Sequence, residues 1–195
     1  MSFKTKLKYI LLDIFDMISF LVFVGGIVLF IRFFIANPYT VVGASMAPTF
    51  QENDFIIVDK ITPRFNQLNR GDIIVFVPPG KTIPYIKRIV GLPGETIKIK
   101  HNGVEVCTTE NTIEQCNTLE EPYLDSGVRT ESRCGIDEFK IDGGGLFVMG
   151  DNRGFSTDSR CCFGLDCYEG STYEVPADHI IGKVYLRFFP HFSTF

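Results

Sequence analysis

Residues 17–36, MISFLVFVGGIVLFIRFFIA, carry a single charge, Arg32, near their far end. Wound as an α-helix at 1.5 Å per residue, the stretch extends about 30 Å, the hydrocarbon thickness of a bilayer. The pattern predicts a transmembrane helix over 17–36, a short tail over 1–16 and a body over 37–195. Lys4, Lys6 and Lys8 precede the apolar run, and no basic residue follows Arg32 until Lys60. The positive-inside rule then places 1–16 in the cytoplasm and the body outside a cell membrane crossed once. Arg32 reaches the interface by snorkelling. The alternative is a cleaved signal peptide, for which Val42 and Ala44 form a suitable small-residue pattern. Against it, the apolar run exceeds the roughly 7 to 15 residues of a signal core, and the candidate cut falls well beyond its end.

The 195-residue chain is 45% hydrophobic with a net charge of -4, which excludes disorder and gives no basic surface for nucleic acid. After residue 40, many Val, Ile and Phe residues alternate with frequent turn signals, so the body is expected to be mostly β. DFIIVDK (54–60) and GDIIVFVPP (71–79) read as buried strands bounded by turn formers. TIKIKHNGVEV (96–106) reads as a hairpin turning at Asn102-Gly103, a dipeptide that accepts positive φ. GLFVMGDN (145–152) and IIGKVYLRFFP (180–190) return to strand character. The polar stretch 107–145 reads as a small inserted subdomain or long loop.

All six cysteines, at 107, 116, 134, 161, 162 and 167, lie in the body. An outward-facing body favours disulfides. Cys107 and Cys116 would close a ring of about ten residues, and Cys134 would pair with one of Cys161, Cys162 and Cys167. Zinc is the rival reading, although paired C-x-x-C knuckles are missing and His101, His179 and His191 are scattered.

Two places invite chemistry. Ser45, in VVGASMAPTF (41–50), is a weak nucleophile that needs a base. His179, which precedes a strand, leaves a Ser/His/Asp triad open. Lys87 is the other candidate: YIKRIVGLPGE (85–95) surrounds it with Tyr85, Ile86, Ile89 and Val90, and burial would favour its neutral amine. A lone strand lysine more often points to water. GDNRGFSTDSR (150–160) reads by itself as a polar surface loop rich in Asx turns.

Together, SMAPTF, YIKRIVGLPGE and GDNRGFSTDSR resemble the nucleophile, lysine and Gly-Asp-Asn-Arg boxes of the bacterial type I signal peptidases (leader peptidases), membrane-anchored serine proteases with a Ser/Lys dyad. GDIIVF and VPADHIIGKVYLRFFP resemble further strands of that family. The resemblance covers the chain from the anchor to Pro190, apart from the cysteine-bearing insert. It implies Ser45 as nucleophile, Lys87 as general base and Ser156 as the hydroxyl that orients the lysine. It implies Asp158 and Arg160 as a supporting ion pair, with Asp151 and Arg153 holding the same turn. Positions matching the family's walls for small residues one and three before the cut are Tyr39, Val41, Val42, Met46, Phe50, Tyr85 and Ile86. Some members carry a hydroxyl residue two places before the nucleophile; here that position is Gly43, which leaves backbone N–H groups to bind the oxyanion and a close approach for substrate. Phe189 stands where a tryptophan is frequent.

The resemblance implies a signal-peptidase-like fold and hydrolysis of one peptide bond through an acyl-enzyme, with no cofactor or metal. The implied partners are membrane-docked precursor proteins with signal peptides, the lipid bilayer and the secretion machinery. Two rivals stay open: a specialised Ser/Lys peptidase for a dedicated substrate such as a pilin or conjugation protein, and a non-catalytic membrane-anchored binding module. A site that meets its substrate beside the bilayer also calls for exposed aromatic residues, with Phe55, Phe65, Phe192 and Phe195 as candidates.

Overall fold

The computed structural model describes residues 3–65, 67–101, 103–111, 113–165, 167 and 171–195. Helix α1 spans Phe3–Phe30, starting earlier than residue 17 because nothing from Phe3 to Asp16 is a Gly or Pro that would stop it. A π-helical turn covers Ile31–Ile35. Strand β1 (Ala36–Thr40) starts directly after it, one residue short of the expected helix end. Pro38 accounts for the change, since it disfavours helical backbone at the residue before it. Tyr9–Ile35 is long and apolar enough to cross a membrane, with mean hydropathy 2.6 and none of that window buried.

The body is mostly β. Its strands after β1 are β2 (Phe55–Asp59), β3 (Ile73–Phe76), β4 (Tyr85–Gly91), β5 (Glu95–Lys100), β6 (Gly103–Glu110), β7 (Ile113–Thr118), β8 (Glu138–Lys140), β9 (Phe147–Met149), β10 (Ile180–Phe189) and β11 (Ser193–Thr194). Among the described residues, seven form an antiparallel sheet in the order β1-β2-β10-β3-β4-β9, with β11 on β10. β3 buries both faces: Ile73 and Val75 join one core with Val41, Met46, Phe50 and Ile86, while Ile74 and Phe76 join another with Ile89, Val148 and Phe163. Double-sided burial is why its sequence is a continuous apolar run rather than an alternating one.

The remaining four strands form a second sheet, in the order β7-β6-β5-β8. This subdomain therefore begins at Glu95 rather than at 107, because the expected hairpin is its centre: Lys100 pairs with Gly103. Asn102, the first residue of that turn, lies outside the described residues. The segment expected as an insert holds the end of β6 and the strands β7 and β8, along with loops. Ile97, Ile99, Val104, Val106 and Phe139 make the sheet's core and pack on Phe147 and Met149 of β9. The register of β6 on β7 sets Cys107 opposite Cys116, and the two are bonded. Cys134 joins Cys161, and Cys162 joins Cys167. All six sulfurs are thus disulfide-bonded, which removes the thiolates that the zinc reading needs.

Candidate active site

β1 runs into the segment that carries Ser45. Val41 donates its N–H to Asp54 and turns its side chain into the core. Gly43 then takes φ of +86°, in the left-handed region where a Cβ is strained, although the space around it is open. Ser45 follows, and hydrogen bonds from Ala47 N to Ala44 O (3.2 Å) and Phe50 N to Met46 O (2.9 Å) wind the chain after it. Met46 and Phe50 act as a plug below this turn. Both are fully buried in the core, so the structure does not place them on the wall expected for substrate. Phe50 instead stacks on Phe195, ring centroids 4.6 Å apart.

β4 brings Lys87 to the same point. Its side chain is 3% exposed, and Nζ donates to Ser45 Oγ at 2.7 Å and to the Ile86 carbonyl at 2.8 Å. Burial pushes the amine down to about 8, against the opposing pull of the Asp158 and Asp151 carboxylates. His179 is occupied elsewhere, its Nδ1 2.8 Å from the Val77 carbonyl. The hydrogen-bonding side chain on Ser45 is thus a lysine.

The loop 150–160 forms the third wall. Asn152 clamps the serine turn from two sides, with its N–H on the Ser45 carbonyl (3.1 Å) and its Nδ2 on the Ala44 carbonyl (3.0 Å). Gly150 leaves room at this junction: a Cβ there would overlap both Ser156 and the Ser45 carbonyl. Ser156 is fully buried, and no hydrogen bond joins its Oγ to Lys87. Asp158 and Arg160 form a buried bidentate pair at 2.9 and 2.8 Å. Burial works against the Asp158 carboxylate, but Arg160 and the Gly150 N–H hold its carboxyl below the ordinary range.

Asp151 and Arg153 do not pair their side chains. Asp151 receives both arms of Arg88, at 2.9 and 2.7 Å, and the Thr49 hydroxyl at 2.5 Å. Arg153 reaches into the second sheet's loops, where it binds Glu121 and Thr130. Arg88 stacks on Tyr123, 3.8 Å from the ring centroid. These partners were missing from the sequence reading. Arg88 adjoins Lys87 on a strand and could have been suspected; Glu121, Tyr123 and Thr130 sit in an irregular stretch with no periodic signal.

A groove of about 600 Å³ opens over Ser45 and Lys87. Tyr39, Val41, Val42, Gly43, Tyr85 and Ile86 line it, as do Ile83, Phe155 and Thr157, which sequence reasoning passed over. A peptide could lie in this groove in extended form, with one carbonyl at the Ser45 hydroxyl.

The family model for signal peptidase, peptidase S26, matches residues 14–189. Signal peptidase I T of Bacillus subtilis (strain 168) is 33% identical over 168 residues, covering 83% of this chain and 78% of that one. Signal peptidase I U of the same organism is 33% identical over 192 residues, covering 96% and 90%. A crystal structure of a signal peptidase I from Enterococcus faecalis V583, 28% identical, aligns with a TM-score of 0.40 over 60% of this chain and 95% of that one.

Proposed function

The chain belongs to the signal peptidase family, peptidase S26, and is a serine endopeptidase of the kind that removes signal peptides; from that premise we propose that Ser45 and Lys87 are its catalytic dyad. The observation that carries this reading is the 2.7 Å contact between Ser45 Oγ and a buried lysine amine. Once neutral, that amine accepts the serine proton through its lone pair, and Oγ attacks the scissile carbonyl. The protonated amine then passes the proton to the leaving nitrogen, and water cleaves the acyl-enzyme by the same route. Backbone N–H groups of the Gly43–Ser45 turn bind the oxyanion. Ser156, buried beside the Ser45 carbonyl, orients the amine once substrate excludes water. The Asp158–Arg160 pair, Arg88 with Asp151, and Arg153 with Glu121 keep the three walls in register.

Among the described residues one helix is long and apolar enough to cross a membrane, which fits a single-pass membrane protein. We place its N-terminus in the cytoplasm and the body outside, against the bilayer, where signal-peptide precursors arrive from the secretion machinery. The test is cleavage of a signal-peptide precursor by the full chain. Ser45→Ala and Lys87→Ala should each abolish it while circular dichroism stays native, and an acylating inhibitor should label wild type at Ser45. Cleavage retained in folded Lys87→Ala would remove the dyad. A reading with a dedicated substrate draws on the disulfide-bonded loops that reach the site through Arg153; cleavage of one precursor out of a varied panel would favour it.

A further inference from the structure

The groove has a buried floor and an exposed rim, both apolar. Val41, Ile56, Val75 and Ile86 form the floor and are shielded from solvent. Three lining side chains stand out of it: Val42 is 81% exposed, Ile83 61% and Phe155 83%. They come from three different segments, one before Ser45, one before β4 and one in the loop 150–160. Phe155 is the largest of them, and its backbone is held from both sides. Its N–H donates to the Asn152 carbonyl at 3.1 Å, Arg133 binds the Gly154 carbonyl, and Ser156 next to it is fully buried. The ring is therefore displayed on a fixed backbone. A rigidly presented aromatic side chain is the kind of group on which binding energy concentrates.

An extended peptide turns alternate side chains to opposite faces. If the small residues one and three before the cut enter the floor, the residue between them points outward, to the rim. We propose that Val42, Ile83 and Phe155 form a subsite for an apolar or aromatic side chain two residues before the cut. The inference rests on the reading of this groove as the substrate channel. It makes the chain selective at a position that the floor does not touch.

The experiment uses the full chain in detergent micelles and a set of signal-peptide substrates that differ only two residues before the cut, with Ala, Asp, Leu or Phe there. Wild type should favour Phe over Asp by about tenfold in kcat/KM, mostly through KM. In Phe155→Ala the ratio should fall below about threefold, and Phe155→Tyr should restore it. Phe155 is exposed, so melting of the variants should match wild type. A Phe-to-Asp ratio that is the same in Phe155→Ala, or a preference that appears at the first residue after the cut instead, overturns the subsite. Loss of vesicle binding in Phe155→Ala with an unchanged ratio assigns the rim to lipid and also overturns it. If wild type cleaves none of the set, the peptidase reading fails and takes this inference with it.

Discussion

Lys87 is where stability and activity pull in opposite directions. Its amine sits at about 8 in the fold and near 10.5 when free. The sign follows from proton counts. Below pH 8 both states hold the proton, and the fold bears the full cost of a buried ammonium, about 3 kcal/mol at 1.4 kcal/mol per pH unit. Between about 8 and 10.5 the unfolded chain binds more protons than the folded one, so stability rises with pH through that window and levels off above it. Lys87→Met keeps the bulk and removes the charge. It should unfold at higher denaturant concentration than wild type at pH 7, and the gap should narrow as pH approaches 10.5. Turnover has the same cause. Roughly a tenth of the amine is neutral at pH 7, so kcat/KM should climb about tenfold toward a plateau above pH 8 while circular dichroism stays constant. A flat profile across pH 6 to 9 would mean that Lys87 does not activate Ser45.

The loop 150–160 shows how an element is fixed by parts distant in sequence. Asn152 binds the serine turn, Gly150 lets the loop approach it closely, Arg153 binds the second sheet's loops, and Cys161, one residue past Arg160, is tied to Cys134. A ring of this size is worth about 3 to 4 kcal/mol in the chain-entropy model. The full chain with Cys134→Ala and Cys161→Ala should therefore melt lower, and its kcat should fall severalfold, since the loop carries Ser156 and Asp158. Equal activity in the double variant and wild type at 25 °C would show that the loop holds itself without the bridge. Much of this architecture was legible beforehand. Strands β2, β3, β4 and β10 stood out as β-branched runs, although β2, expected to be buried, alternates between core and surface and only β3 and β4 are buried almost throughout. The Cys107–Cys116 pair followed from a short ring. β1 was hidden because the apolar helix runs into it without a break in hydrophobicity until Asn37-Pro38. β7 was hidden because, as an edge strand, it exposes every described side chain and carries no alternation. The partners of Arg153 had no local signature at all, because ion pairs across a fold leave none in one sequence.

At the scale of the whole molecule, no linker separates anchor from body. β1 begins at the residue after the π-turn, Lys60 N donates to the Ile35 carbonyl at 2.9 Å, and Lys60 Nζ donates to the Arg32 carbonyl at 3.3 Å. The chain from Ala36 to Ser45 spans at most roughly 30 Å, so the site lies close to where the helix ends. Besides Phe155 at the groove and Tyr185 on β10, the exposed aromatic residues of the body, among those described, fall in two places. Phe65 closes the short 3-10 turn Thr62–Phe65, which follows Lys60. Phe55 packs edge-on against Phe189, 6.1 Å between centroids, and Phe188 and Phe192 stand in solvent nearby in the chain. Phe195 is turned inward onto Phe50 and contributes least. β1 meets β2 with Ala36 opposite Asp59 and Thr40 opposite Phe55. The Phe55 group therefore marks the end of β1 that leads to Ser45, and Phe65 the end that meets the helix. An edge strand with aromatic residues at both ends suits a body lying along the lipid surface, its groove opening beside the bilayer. The fragment 37–195 should then sediment with zwitterionic phospholipid vesicles, and Phe188→Ser with Phe192→Ser should weaken that partition by about tenfold or more, given what burying each ring contributes. Partition that is absent in the fragment, or unchanged by the double substitution, would leave the helix as the sole membrane contact and the aromatic edge without a lipid role.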